Sequence, residues 1–417
     1  MYTIRTLSNG IRVVSENIEY VKSISVGVWV GNGSRCEKKC ENGMSHFIEH
    51  MFFKGTKKRD AKKIAYDIDA VGGQINAFTT REYTCYYTKT LDEHLEVSLD
   101  VLSDMIFSSS LDKKAMDLER NVICEEINMY EDEPEELVHD LIIKAAYGDN
   151  SMGRPILGTK ESLFGITDDA MREYIKTHYT TKNTVISVSG HFDESLFSLL
   201  EKYFVNKKMQ NNSVKIPKCE YKCGNFLVKT KESEQIQIIA GFKSIDVRDD
   251  GVYDLLAFNN VFGSGMSSRL FQNIREQKGL AYSVYAYHAA YVGTGIFNIC
   301  AGMAPANLKK VCELICDEVN RIKRDKLTDD ELNAAKEQLK GNYILSYESV
   351  GARMQAAGRN LLLDKPIIGP EEVLEKINKI SKDSVADIIE RVLDTKTLCV
   401  AAVGSLESVD GLFDFKY

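Results

Sequence analysis

His46, Glu49 and His50 form the pattern H-x-x-E-H inside Ser45–Lys54, a stretch without glycine or proline. On a helix, residues four apart share a face, so both imidazoles project together. Two neutral imidazoles so placed can bind a divalent ion at ~2.0–2.1 Å, and zinc is the first metal to consider. Glu49, three residues from His46 and next to His50, would stand where it can take a proton from an attacking water. The pattern mirrors H-E-x-x-H, and the chemistry it can do is metal-assisted hydrolysis of a peptide bond. With seven histidines in 417 residues, chance occurrences of such a pattern are rare.

A protein-held zinc needs a third ligand, and no further position of the same helix can complete the coordination. A second element must supply it. Asp112–Tyr130 has no glycine or proline, and Met116, Val122, Ile123, Ile127 and Tyr130 recur there at helical intervals. Glu119 and Glu126, seven apart, share one face of that predicted helix. Either could be a ligand, and either could be an ordinary solvated carboxylate. The residues alone leave that choice open.

The elements that must position these groups come in two similar sets. LDEHLEVSLDVLSDMIFSSSLDKKAMDLE, before the Glu126 segment, shares its helix–turn–helix rhythm with ANLKKVCELICDEVNRIKRDKLTDDELNAAKEQL in the second half. The stretch from Thr167 is likewise echoed from Ser381, and both end in an apolar strand and a glycine, Gly190 and Gly404. A near-constant offset over such lengths indicates duplicated domains. Each half opens with alternation: Ile24, Val26, Val28 and Val30 in the first, Ile236, Ile238 and Ala240 in the second. That spacing predicts half-buried antiparallel strands. Helical runs follow, so the expected class is α+β, two duplicated domains, each a mostly antiparallel sheet with helices packed on one face. The expected division is 1–205 for the metal-binding domain, a polar linker at 206–222, and 223–417 for its duplicate. The duplicate has no histidine in Asp254–Phe262 and places Asn342 or Gly341 opposite Glu126. It lacks metal ligands and can only shape or cover a site.

Composition narrows the classes further. At 44% hydrophobic residues and six prolines the chain is ordinary globular material. A net charge of −8 argues against nucleic acid, which needs basic faces. No apolar run approaches the ~20 residues that span a membrane. Ten cysteines lack the tight C-x2-C spacing of metal sites, and Cys312 and Cys316 fall in an amphipathic helix as small hydrophobes. Reduced thiols, and a start (MYTIRTLSNGIRVV) without an apolar leader core, give a cytoplasmic expectation.

Three segments, GMSHFIEHMFFKGT (Gly43–Thr56), VGGQINAFTTREYTCYY (Val71–Tyr87) and LERNVICEEINMYEDEP (Leu118–Pro134), resemble the pitrilysin (insulinase) family of zinc peptidases. The likeness is to the branch of mitochondrial processing peptidase β-subunits and their bacterial homologues, and it runs over nearly the whole chain. It implies one zinc per chain held by His46, His50 and Glu126, with Glu49 as general base and Glu119 needed for activity. It implies that Gly73, Asn76 and Ala77 belong to an edge strand to which an extended substrate adds. It also implies that Arg275 and Tyr282, seven apart in SSRLFQNIREQKGLAYSVYA, hold substrate from the second half. The expected function is a zinc-dependent endopeptidase acting on unfolded peptides or targeting-type segments. The alternatives are a non-catalytic scaffold or assembly subunit of the same fold, and a zinc-stabilised structural domain that would unfold on chelation. Related chains of this length pair, so a homodimer is expected, ahead of a heterodimer with an inactive paralogue. The acidic run Glu131, Asp132, Glu133, Glu135 and Glu136 fits either a preference for basic peptides or a solvated surface.

Overall fold

The strands are β1 (Tyr2–Thr6), β2 (Arg12–Asn17), β3 (Ser23–Val30), β4 (Gln74–Thr79), β5 (Thr84–Leu91), β6 (Thr184–Gly190), β7 (Phe226–Thr230), β8 (Ile236–Lys243), β9 (Ser283–Tyr291), β10 (Thr294–Met303) and β11 (Cys399–Gly404). In this computed structural model, which describes residues 2–205 and 209–415, they form two sheets. The first runs β1-β2-β6-β3-β5-β4 and the second β7-β11-β8-β10-β9. Only β2/β6 and β7/β11 pair in parallel; every other ladder is antiparallel. Setting β1 aside, the two orders superpose strand for strand, with the parallel pair in the same place. The duplication read from sequence is thus a duplication of topology.

The chain divides into two compact units. One comprises Met1–Ile127, Pro155–Pro217 and Ile344–Gly369, the other Asn128–Arg154, Lys218–Tyr343 and Pro370–Tyr417. This departs from the contiguous division 1–205 and 223–417, because two helical segments are exchanged. The helix Pro134–Tyr147 belongs to the second unit, where Val138, Ile142, Ala145 and Ala146 pack with Ile239, Ala401 and Val403. The helix Val350–Leu362 belongs to the first, where Met354 packs with Trp29, Cys85 and Val185. Of the expected linker, residues 206–208 lie outside the described ones, and 209–222 carry no helix or strand. Thr181 N–H donates to the Gln210 carbonyl (2.9 Å) and Arg35 Nε to that of Pro217 (3.0 Å), tying this stretch to the first unit.

The exchanged helices change what the strands experience. Ile24, Val26, Val28 and Val30 face the main core of the first unit, as their alternation predicts. Ser25, Gly27 and Trp29 point the other way and are also buried, so β3 is covered on both faces rather than half-buried. Most helices still pack on one face of each sheet; the exchanged helix adds a cover on the second. Ten free thiols are distributed through the chain, half of them buried. No helix among the described residues is long and apolar enough to cross a membrane.

Candidate metal centre

The motif lies on the helix Met44–Phe52. Its apolar residues Phe47, Ile48, Met51 and Phe52 are buried in the core, which leaves His46, Glu49 and His50 on the opposite side. The helix begins at Gly43 with φ +91°, where a side chain would meet the Leu157 carbonyl oxygen at 2.7 Å. Buried Glu37 accepts the orphan amides of Gly43 (2.8 Å) and Ser45 (2.7 Å), placing a carboxylate at the positive helix end. The start of the motif is therefore fixed from both sides.

The helix Lys113–Asp132 brings the second set of groups. Met116, Ile123 and Ile127 are buried, and buried Arg120 donates to the carbonyls of Leu163 and Ile166 at 3.0 Å each. This anchoring turns Glu119 and Glu126 toward the histidines. Glu126 Oε2 stands 3.7 Å from His46 Nε2 and 3.8 Å from His50 Nε2. Both distances are too long for hydrogen bonds. They fall within the ~4.2 Å that two atoms can span when each is ~2.1 Å from a shared ion. Among the described residues, this is the one cluster of three or more potential ligands, with donor atoms within 4.8 Å of one another.

Protonation suits metal binding. Burial and the facing His50 push the His46 imidazolium pKa down to about 3, so the ring is neutral near pH 7. Its Nδ1 is buried without a hydrogen-bond partner among the described residues, so hydrogen bonding does not offset the ring's desolvation. Burial raises Glu119, but hydrogen bonds from His50 and Lys54 outweigh it, and the carboxyl titrates below its usual range. Glu119 Oε1 is 2.7 Å from His50 Nδ1 and its Oε2 is 2.6 Å from Lys54 Nζ. An ionised carboxylate only accepts, so His50 carries its proton on Nδ1 and presents the Nε2 lone pair to Glu126 and His46. A nitrogen–nitrogen–oxygen set of this kind fits zinc.

Glu49 is half-buried, and burial raises its carboxyl pKa despite a hydrogen bond from the Thr79 hydroxyl. Thr79 ends β4, which is an edge strand. Gly73 precedes β4 and approaches β5 closely, with Thr90 Cγ2 only 2.7 Å from where a side chain would begin. Asn76 is exposed, and its Oδ1 accepts the Ala77 amide at 2.8 Å. An arriving peptide carbonyl would replace that bond, so the edge is capped by its own side chain. Arg275 and Tyr282 are neighbours in the second unit, the guanidinium 5.6 Å from the phenol ring centroid and Tyr282 72% exposed. The acidic side chains Glu131 to Glu136 are exposed, and Lys231 meets Asp132 at 3.0 Å.

Three contributors escaped the reading of the sequence. Lys54 is four residues beyond His50, a spacing that would share its face on a continuing helix, although the helix ends at Phe52. Thr79 lies inside the segment Val71–Tyr87, but nothing in a strand pattern says which carboxylate it meets. Glu37 caps the motif helix from a loop, and no spacing rule reaches it.

Residues 12–160 match the family domain described as insulinase (peptidase family M16), and residues 165–339 the peptidase M16 inactive domain. An uncharacterized zinc protease of Bacillus subtilis (strain 168), YmxG, is 44% identical over 95% of this chain and 97% of its own length. An uncharacterized zinc protease of Streptomyces coelicolor is 35% identical over 96% and 89%. Among solved structures, a protease from Helicobacter pylori shares the fold with a TM-score of 0.90 at 22% identity, over 97% of this chain and 99% of that one. A chain of complex III2 from Candida albicans shares it with a TM-score of 0.84 at 20% identity, over 99% and 97%. Matched along nearly its whole length to zinc proteases, and half by half to the two domains of that group, the chain belongs to the insulinase family, peptidase family M16, and is a zinc protease.

Proposed function

We propose that the protein is an endopeptidase that takes unfolded peptides or targeting-type segments in extended form, with Glu49 as its general base. The observation that carries this reading is Glu49 itself. It stands on the same helical face as His46 and His50, with a carboxyl whose pKa burial raises above its ordinary value. His46, His50 and Glu126 would hold the zinc. The chemistry such an ion supplies is Lewis acidity, making a water more acidic and a carbonyl more electrophilic.

The chain's own residues do the rest. Glu49 takes the proton from the attacking water and returns it to the leaving amine. Glu119 holds His50 in one tautomer and one orientation. The substrate backbone pairs with β4 through Asn76 and Ala77, which reads backbone more than side chain and so suits unfolded segments. Arg275 and Tyr282 are assigned to substrate binding on the family resemblance, and the guanidinium lies 5.6 Å from the phenol ring centroid. Free thiols throughout the chain support a reducing, cytoplasmic setting. A homodimer completes the proposal.

The test is cleavage of a mixed library of unstructured peptides, read by mass spectrometry, beside Glu49→Gln. Internal cuts by the zinc-loaded wild type and none by the variant, with zinc retained in both, are expected. Cuts by both remove Glu49 as base; cuts by neither, with zinc bound, favour a scaffold role.

A further inference from the structure

The hydrogen bond that Glu49 makes comes from outside the motif helix. Among the described residues its one hydrogen-bonding partner is Thr79, whose hydroxyl donates to Glu49 Oε2. Thr79 is the last residue of β4 and pairs with Thr84 at the start of β5. Its hydroxyl also lies 3.3 Å from Thr84 Oγ1. Thr84 is fully buried and donates its own proton to the Asn32 carbonyl at 3.0 Å. Each hydroxyl has one proton. With that of Thr84 given to Asn32, Thr79 is left to donate to the carboxylate. Asn32 is held in turn: its amide donates to Ser45 Oγ at 3.1 Å and accepts from the Tyr174 hydroxyl at 2.9 Å. The support behind Thr79 therefore ends on the first turn of the motif helix itself, and no member of it is loose.

We propose that Thr79 is the positioning residue of the base: from the end of the edge strand its hydroxyl occupies Glu49 Oε2 and reserves Oε1 for the proton of the attacking water. The inference rests on Glu49 acting as general base. A glutamate side chain has three rotatable bonds, and proton abstraction needs a lone pair held in line within hydrogen-bond reach. One charge-assisted bond to Oε2 removes most of that freedom while leaving Oε1 without a hydrogen bond among the described residues. Thr79 shares its short strand with Asn76 and Ala77. A peptide adding to β4 therefore bears on the same strand that aims the base, and substrate docking and base alignment are linked through three residues of backbone.

The experiment compares Thr79→Val, which keeps the shape and removes the hydroxyl, with Thr79→Ser, which keeps the hydroxyl, and with Glu49→Gln. Each zinc-loaded protein is assayed for kcat and KM on a peptide that the wild type cuts, for zinc stoichiometry, and for its thermal midpoint. Loss of one charge-assisted hydrogen bond predicts a kcat roughly ten- to a hundredfold lower in Thr79→Val, with KM changed by less than about twofold. Zinc content and thermal midpoint stay at wild-type values, and Thr79→Ser recovers kcat to within about threefold. Wild-type kcat in Thr79→Val beside an inactive Glu49→Gln overturns the role of Thr79 alone. Equal impairment of the serine and valine variants, or loss of zinc from Thr79→Val, overturns it in favour of packing. An active Glu49→Gln overturns the base assignment first, and the inference with it.

Discussion

At the scale of single residues, the centre is organised by a carboxylate that need not touch the metal. Glu119 is nearly buried and receives two donors, His50 Nδ1 on one oxygen and Lys54 Nζ on the other. Both bonds need a full negative charge, because a neutral amide would turn its NH2 toward one of them. Glu119→Gln keeps the volume and sets two donors face to face, against either the imidazole or the ammonium. The imidazole then loses its fixed tautomer, and Nε2 is no longer held as a lone pair. Partners of this kind are worth about 10- to 100-fold in metal affinity. Competition with a chelator at neutral pH should show that loss for Glu119→Gln, with the fold retained. Undiminished affinity would leave Glu119 no part in holding His50.

At the scale of elements, what was legible follows from period and what was not follows from contact. Strand alternation and the helical run of Asp112–Tyr130 sufficed to place β3, β8 and the third-ligand helix. The exchange of Pro134–Tyr147 and Val350–Leu362 was not legible, because an apolar stripe says that a helix is covered and not by which sheet. A trace of it exists: Thr184–Gly190 and Cys399–Gly404 have small or apolar residues at nearly every position, so both faces need a cover. Gly358 shows how close that cover comes. A side chain there would begin 2.2 Å from Trp29 Nε1 and 2.6 Å from Ser187 Oγ, atoms that hydrogen-bond to each other at 2.8 Å. Gly358→Ala should therefore cost about 1–3 kcal/mol, as overpacking does. Trp29 is the single tryptophan of the chain, so urea unfolding followed by its fluorescence reads this packing directly. An unmoved midpoint would mean that the helix is not seated on β3.

At the scale of the molecule, one topology is used twice, and the copies have been put to different ends. In the first unit, beside structural pairs such as Arg35–Glu82 and Arg353–Glu16, one buried carboxylate, Glu119, meets a candidate metal ligand, His50. The second unit lacks histidines at the matching helix, and its buried charges hold elements together. Arg269 makes two bonds to Glu331, Nε to Oε1 at 2.7 Å and Nη2 to Oε2 at 2.8 Å. Glu331 also accepts the Thr328 amide at 2.8 Å and gives its own amide to the Thr328 hydroxyl at 3.2 Å, a reciprocal cap on the helix Asp329–Tyr347. Burial alone would raise this carboxyl, but the guanidinium and the cap win and hold its pKa at about 2, against an ordinary 4.5. Between those values the unfolded chain binds the proton and the folded protein does not, so falling pH favours unfolding. The stabilisation is complete above the ordinary carboxyl pKa and is lost as pH falls toward about 2. Allowing for solvent screening of a partly exposed pair, its size is about 1–2 kcal/mol. Glu331→Gln should accordingly be less stable than the wild type at pH 7 by that amount. The gap should narrow through pH 4 and 3 and nearly vanish at the acid end, where both proteins carry a neutral group. Urea midpoints by circular dichroism across that range give the comparison. A gap that is constant with pH would assign the helix start to shape and the cap alone, and not to the charge on Glu331.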